Sequence, residues 1–250
     1  MGAHVDSPDE LTGVEASAAP VSGEADAWPA GSLLGRLSDS VRSALLMQGR
    51  VSSFPAGTTL VREGETSTHV LVLMTGMVKV TATTEGGHTT LLAIRVAGDI
   101  IGELAPIDSA PRSASVVAAV PTRAVIITGE AFLGFLAGHP VASLEMMRAL
   151  SAKLRSATSA RVAAGSYTVV ARLAQVLREL SMSYGEKRDG LLGIGVPLSQ
   201  ADLAALVGAS DAAIHKALRV LRECGAIDTG YRRIVVRDEV ALNAMAEQTG

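Results

Sequence analysis

The spacing of apolar residues changes twice along this chain. From Ser32 to about Gly49, Leu33, Leu34, Leu37, Val41, Leu45 and Leu46 recur at near-helical intervals, which predicts a helix. From Val51 to Thr128 the period shortens. Val70-Leu71-Val72-Leu73-Met74 is an unbroken apolar run of buried-strand length. Val78 and Val80 alternate with Lys79 and Thr81, and Leu92, Ile94 and Val96 alternate with small or polar residues. Gly57, Gly64, Gly76, Gly86-Gly87 and Gly98 punctuate this region at intervals of roughly ten residues. Short strands divided so evenly predict an antiparallel sandwich or roll.

Helical spacing then returns. Glu130 to about Ala164 reads as helix with a break at Gly138-His139-Pro140. The part from Val141 to Ala163 holds no Gly or Pro, and Leu144, Met147, Ser151, Leu154, Thr158 and Arg161 step along it by three and four. That partly apolar seam fits packing on the helix's own sheet or against a partner helix. Gly165-Ser166 interrupts the pattern and marks a boundary, after which Tyr167 to Tyr184 is amphipathic and Gly185 to Gly190 reads as a polar loop.

The C-terminal part carries paired start and stop signals. Ser199 with Asp202 forms an S-x-x-D start, Gly208 permits a sharp turn, and Ser210 caps a second helix from Asp211 to about Cys224. Two short helices around a Gly turn read as helix-turn-helix. Ile227-Asp228-Thr229 and Ile234-Val235-Val236 predict a two-stranded wing around Gly230-Tyr231, and Asp238 caps a last helix through Glu247. At 100° per residue, Ile214, Ala217, Leu218, Leu221 and Cys224 share one face of the second helix, making Cys224 a core thiol. Asp211, His215, Arg219 and Arg222 share the other, with Ala212 and Lys216 at its edge. That polar face fits a solvated surface as well as a nucleic-acid contact.

Composition narrows the class. At 250 residues with a net charge of −3, the chain has room for two modest domains and a tail but no generally basic coat. Arginine outnumbers lysine 18 to 4, which fits a GC-rich genome. Its one cysteine excludes an intrachain disulfide framework and fits a reducing cytoplasm. The histidines (His4, His69, His88, His139, His215) show no metal spacing, and no apolar run has the length of a membrane span. Residues 1–30 are rich in Ala, Ser, Pro, Gly and acid, which predicts a disordered tail without a signal core. No His, Cys or carboxylate constellation has catalytic spacing, so no enzyme activity is expected.

The stretch Gly98 to Ala114, GDIIGELAPIDSAPRSA, holds the densest chemistry. Gly102 lets the backbone approach a ligand, and a helical turn begun there points free N–H groups outward. Arg112 offers a charged fork, Ser113 a hydroxyl donor, and Glu103 a carboxylate acceptor for sugar hydroxyls. The same spacing also fits a hairpin with a Glu103–Arg112 surface pair.

Gly102-Glu103-Leu104-Ala105 followed by Pro111-Arg112-Ser113-Ala114 resembles the phosphate-binding cassette of cyclic-nucleotide-binding domains. Within these it is most similar to the cyclic-AMP receptor protein and fumarate-nitrate reduction regulator (Crp/Fnr) family of bacterial transcription regulators, over roughly Leu33 to Leu242. The resemblance implies an α+β fold: a β-roll over residues 31–140, a long dimerisation helix over 141–164, and a winged helix-turn-helix over 166–250. It assigns Glu103 to the ribose 2′-hydroxyl and Arg112 with Ser113 to a cyclic phosphate. Thr158 would reach the base in its own subunit and Ser159 the base in the other, which favours cAMP over cGMP. The implied partners are double-stranded DNA, a second copy of the chain and RNA polymerase. The implied DNA contacts are Ser199, Ser210, Asp211, Ala212, His215, Lys216, Arg219 and Arg222.

The chain departs from that family at one point. Better-known members place an Arg-Glu pair after the capping serine, where this sequence has Asp211-Ala212. Losing an Arg that can sit bidentate on guanine removes ~1–3 kcal/mol of base discrimination. Lys216 keeps a basic residue where the family has one, but the family's usual TGTGA half-site is not expected. From Ser166 onward 10 basic residues face 10 acidic ones, so no strong field attracts DNA. Two function classes follow: a cyclic-nucleotide-responsive DNA-binding regulator, and a nucleotide-responsive module whose helix-turn-helix binds protein. Iron–sulfur or haem sensing is disfavoured by the single, distant Cys224 and the lack of axial ligands.

Overall fold

Leu37 and Ser38 split the first helical stretch into α1 (Leu33–Arg36) and α2 (Asp39–Leu46), correcting the single helix expected there. Arg42 fixes the corner, its Nε donating to the Leu34 carbonyl at 3.0 Å and Nη2 to that of Leu37 at 2.9 Å. Carbonyls freed by the break are thus satisfied by a side chain. The structure, a computed structural model, describes residues 28–83, 89–188, 191–194, 196, 198–230 and 233–247. The Gly86-Gly87 turn and most of the expected tail lie outside these. The chain divides into two compact units, one spanning Leu33–Met146 and one joining Pro29–Ser32 to Met147–Gly250.

The first unit contains β1 (Arg50–Phe54), β2 (Thr59–Val61), β3 (Val70–Thr75), β4 (Met77–Thr83), β5 (Thr89–Val96), β6 (Ile100–Ile101), β7 (Ser115–Ala118) and β8 (Thr122–Ile127). They form two antiparallel sheets, ordered β1-β8-β3-β6 and β2-β7-β4-β5. The apolar run in β3 is buried from Val70 to Leu73, as its continuity predicts. Phe54, Leu71, Leu73, Ile101 and Ile126 of one sheet pack with Leu60, Val61, Val78 and Val116 of the other as the core. The alternation expected for β5 is interrupted. Val80 pairs with Ala93 and Thr81 with Leu91, so Leu92 is an inserted bulge residue. Leu91, Ile94 and Val96 face inward, while Leu92 is 53% exposed.

The short helix α3 (Leu104–Asp108) lies between β6 and β7. After β8, Thr128 caps α4 (Gly129–Gly138) by accepting from the Ala131 N–H at 3.2 Å. The break falls at His139, and α5 (Pro140–Ser166) then runs unbroken for 27 residues with Gly165 in its last turn. One side of α5 buries Ala142, Glu145, Met146, Ala149 and Ala163. Every position of the sequence-derived seam lies on the other, exposed side, where Leu154 is 70% exposed.

In the second unit, Thr168 caps α6 (Val169–Tyr184), whose Leu173, Ala174 and Leu177 are wholly buried. The expected polar loop is instead a strand, β9 (Gly185–Arg188), paired with β10 (Leu191–Ile194). Two helices follow, α7 (Gln200–Val207) and α8 (Asp211–Glu223), then β11 (Ile227–Gly230), β12 (Arg233–Val236) and α9 (Glu239–Ala246). Because β10 also pairs with β12, the wing belongs to a four-stranded sheet ordered β11-β12-β10-β9, not to a two-stranded ribbon. Asp238 caps α9 as expected, accepting from Val240 and Ala241 N–H groups.

Candidate functional site

In the first unit, β6 delivers Gly102 in a left-handed conformation, φ +79°. A side chain there would be strained and crowded, because a Cβ would lie 2.7 Å from Arg112 Nη1 and 3.1 Å from the His69 carbonyl oxygen. Glu103 is the N-cap of α3 and only 5% exposed; Leu104 is exposed and Ala105 buried. Ser109, the one non-glycine described with a positive φ (58°), ends the helix with its N–H on the Ala105 carbonyl. The Asp108 carboxylate then accepts from the Ala110 N–H at 3.0 Å, so the chain turns back toward Arg112.

Arg112 is stitched to the opposite turn through its backbone. Its N–H donates to the Glu65 carbonyl at 2.8 Å, and its carbonyl accepts from Gly64 at 2.9 Å. The side chain is 4% exposed, with three nitrogens committed to named partners. Nη1 donates to the Gly102 carbonyl and Nη2 to the His69 carbonyl, both at 2.6 Å, while Nε donates to Ser67 Oγ at 3.2 Å. Such contacts offset the cost of burying a guanidinium and fix its plane. Glu103 and Arg112 are therefore buried groups rather than the surface pair the spacing also fitted. Ser113 beside them is exposed. Gly102, Glu103, Leu104, Ala105, Arg112 and Ser113 thus form one cassette with a cationic fork, a hydroxyl and a carboxylate. That donor set suits an anionic, polyhydroxylated ligand.

Thr158 and Ser159 belong to the second unit, exposed on α5, where Thr158 Oγ1 donates to the Leu154 carbonyl at 2.9 Å. Two residues earlier, Ser156 Oγ donates to Glu179 Oε2 of α6 at 2.6 Å, a contact that the sequence gives no sign of.

The helix-turn-helix signals are realised locally. Ser199 and Asp202 make a reciprocal capping box at α7, Gly208 takes φ +66° at its C-cap, and Ser210 Oγ accepts from the Ala213 N–H at 3.3 Å to start α8. Ile214, Ala217, Leu218 and Leu221 of α8 are buried. Asp211, Ala212, His215, Lys216, Arg219 and Arg222 are all exposed, as the helical projection required. Cys224 is not. It is the C-cap residue and exposed, because α8 ends at Glu223 and the projection no longer holds beyond it; Sγ contacts the Leu221 carbonyl at 3.3 Å.

A groove of about 450 Å³ runs between the start of α7, the exposed face of α8 and the wing. Ser199, His215 and Arg222 line it, together with Gln200, Thr229 and Arg233, which sequence reasoning missed. Only the strand pairing brings the last two there; a basic residue directly after the wing turn was the available signal. Asp228 on β11 has a carboxyl held below its ordinary value, first by the Arg237 hydrogen bond at 2.9 Å, then by the Thr229 N–H and the charges of Arg237 and Arg222. Among the described residues there is no cluster of side chains suited to a metal ion, and no helix long and apolar enough to cross a membrane.

Comparisons with known proteins agree with both halves. Residues 51–139 match the cyclic nucleotide-binding domain, and residues 171–245 match the Crp-like helix-turn-helix domain. The chain is 31% identical over 204 residues to the CRP-like cAMP-activated global transcriptional regulator of Mycobacterium tuberculosis, covering 81% of this chain and 91% of that one. It is 26% identical over 193 residues to the cyclic AMP receptor protein of Thermus thermophilus, covering 77% of this chain and 86% of that protein. Among solved structures, FixK2 from Bradyrhizobium japonicum shares the fold with a TM-score of 0.69 at 20% identity, covering 81% of this chain and 99% of that one. A buried phosphate-cassette arginine in a β-roll, a capped helix-turn-helix and a regulator-length match together place this chain in the Crp/Fnr family of transcription regulators.

Proposed function

We propose that this regulator binds cAMP in the Gly102–Ser113 cassette and couples that binding to DNA recognition by α8. The observation carrying this reading is Arg112, buried at the Gly102 turn with its fork already oriented. In it, Arg112 and Ser113 hold the cyclic phosphate and Glu103 the ribose 2′-hydroxyl, with Thr158 and Ser159 over the base. Two copies pair through α5, whose exposed apolar residues Leu144, Met147, Leu154 and Val162 lie along one helix. Ser199, Ser210 and the exposed residues of α8 meet the duplex, and the groove lined by Gln200, Thr229 and Arg233 takes a backbone phosphate. As a DNA-binding regulator it acts in the cytoplasm, and RNA polymerase is the partner through which it would change transcription.

Calorimetry with cAMP and with cGMP, followed by DNA titration at fixed salt with and without nucleotide, tests the reading. Preferred cAMP binding and nucleotide-dependent DNA affinity are expected. A second reading, a nucleotide-responsive protein-binding module, is favoured by Asp211, exposed in the first turn of α8 where a negative charge opposes phosphates. It predicts nucleotide binding without any effect on DNA.

A further inference from the structure

Two arginines on the exposed face of α8 are set against carboxylates. Arg219 Nε lies 3.6 Å from Glu223 Oε1, one turn further on, and both side chains are open to solvent. Arg222 Nη1 reaches Thr229 Oγ1 on β11 at 3.4 Å, and Asp228, the residue before Thr229, feels the Arg222 charge. Hydrogen bonds from Arg237 and from the Thr229 N–H keep the Asp228 carboxylate ionised. Asp211 adds a third negative charge at the start of the helix. Lys216, Arg219 and Arg222 are thus balanced by Asp211, Glu223 and Asp228.

Exposed ion pairs like these contribute little to folding stability. Their effect falls on DNA binding instead. An arginine that already holds a carboxylate gains less from a phosphate, and neutralising that phosphate releases fewer counterions on balance. We propose that Glu223 and Asp228 are specificity-determining residues that act as electrostatic guards on Arg219 and Arg222. They hold down sequence-independent affinity for the DNA backbone, so that stable binding depends on contacts to base edges. Backbone affinity is the same for every duplex, so lowering it raises the ratio of specific to non-specific binding.

The test uses the full chain and a random-sequence duplex, titrated by fluorescence anisotropy across a salt series. Glu223→Gln and Asp228→Asn should each tighten binding about threefold at low salt and steepen the dependence of log affinity on log salt by about one. The gain from Glu223→Gln should vanish in an Arg219→Ala background, and that from Asp228→Asn in an Arg222→Ala background. Glu130→Gln on α4 makes the same change of net charge in the other unit and should give no gain. Unchanged affinity in both variants would overturn the proposal, as would equal gains from Glu130→Gln or gains that survive loss of the arginines. Wild type and variants that all ignore DNA would overturn it together with DNA binding itself.

Discussion

Arg112 Nη1 donates to the carbonyl oxygen of Gly102 across 2.6 Å, tying the two ends of the cassette, ten residues apart, through one guanidinium. With Nη2 on the His69 carbonyl and Nε on Ser67, the fork reaches three partners that a single ammonium cannot bridge together. Arg112→Lys keeps the charge but loses this geometry. Its affinity for cAMP should fall more than tenfold, as much as a bidentate contact is worth at ~1.4 kcal/mol or more. Calorimetry on the folded variant checks it, and undiminished affinity would show that charge alone suffices.

Gly102 tests the same contact from the other side. Gly102→Ala places a methyl 2.7 Å from Arg112 Nη1 on a backbone at φ +79°. The conformation alone costs about 1–3 kcal/mol for a residue with a side chain. The variant should unfold several degrees lower and also bind cAMP more weakly, because the guanidinium must shift. Lower stability with normal binding would separate Gly102 from the ligand.

The seam on α5 makes a prediction about assembly. Leu154, 70% exposed in the single chain, sits mid-helix among Leu144, Met147 and Val162. In a paired helix, Leu154→Glu would bury a charge at the interface, costing several kcal/mol of association. Sedimentation should then report monomers where the unaltered chain gives dimers. An intact dimer in this variant would place the interface elsewhere.

How far the sequence carries depends on whether a signal is local. Caps at Ser199, Ser210 and Asp238, the apolar run of β3 and the turn at Gly208 involve neighbours within a few residues, and each appears where periodicity placed it. The misses involve distant partners. Leu92 leaves the inward face because β4 imposes a bulge on β5, and β9 is a strand because β10 pairs with it. At the site, the cassette motif exposes Arg112 and Gly102 but gives no hint of Ser67, 45 residues away, on Arg112 Nε. Arg233 and Thr229 come to the α8 groove only through the pairing of β11 with β12.

The wing pair carries a pH dependence with a definite sign. The Asp228 carboxyl lies below its ordinary 3.8, chiefly through the Arg237 hydrogen bond, so its stabilisation is present above the unfolded value and lost as pH falls through the lowered folded value. Asp228→Asn should therefore show the same stability deficit across neutral and mildly acidic pH, narrowing only below that value. Carbon-13 titration of the Asp228 carboxyl reads the shift directly. A midpoint at or above 3.8 would mean that the pair with Arg237 does not form in solution.

Ser159 bears on how nucleotide and DNA communicate. It lies on α5 three residues after Ser156, whose hydroxyl holds Glu179 of α6 at 2.6 Å, and α6 buries Leu173 and Leu177 in the core of the DNA-binding unit. On the proposed reading, a base held by Thr158 and Ser159 biases how this end of α5 sits, and Ser156 passes that bias to α6. The bias cannot exceed the ligand's differential affinity for the two arrangements, typically ~1–3 kcal/mol, and DNA must alter nucleotide affinity by the same factor. Ser159→Ala should weaken cAMP binding modestly and impair DNA binding only when cAMP is present. DNA affinity of both proteins, measured with and without cAMP at one salt concentration, decides the matter. An equal defect without nucleotide would assign Ser159 to the fold of α5, and no nucleotide effect in the unaltered chain would favour the protein-binding module.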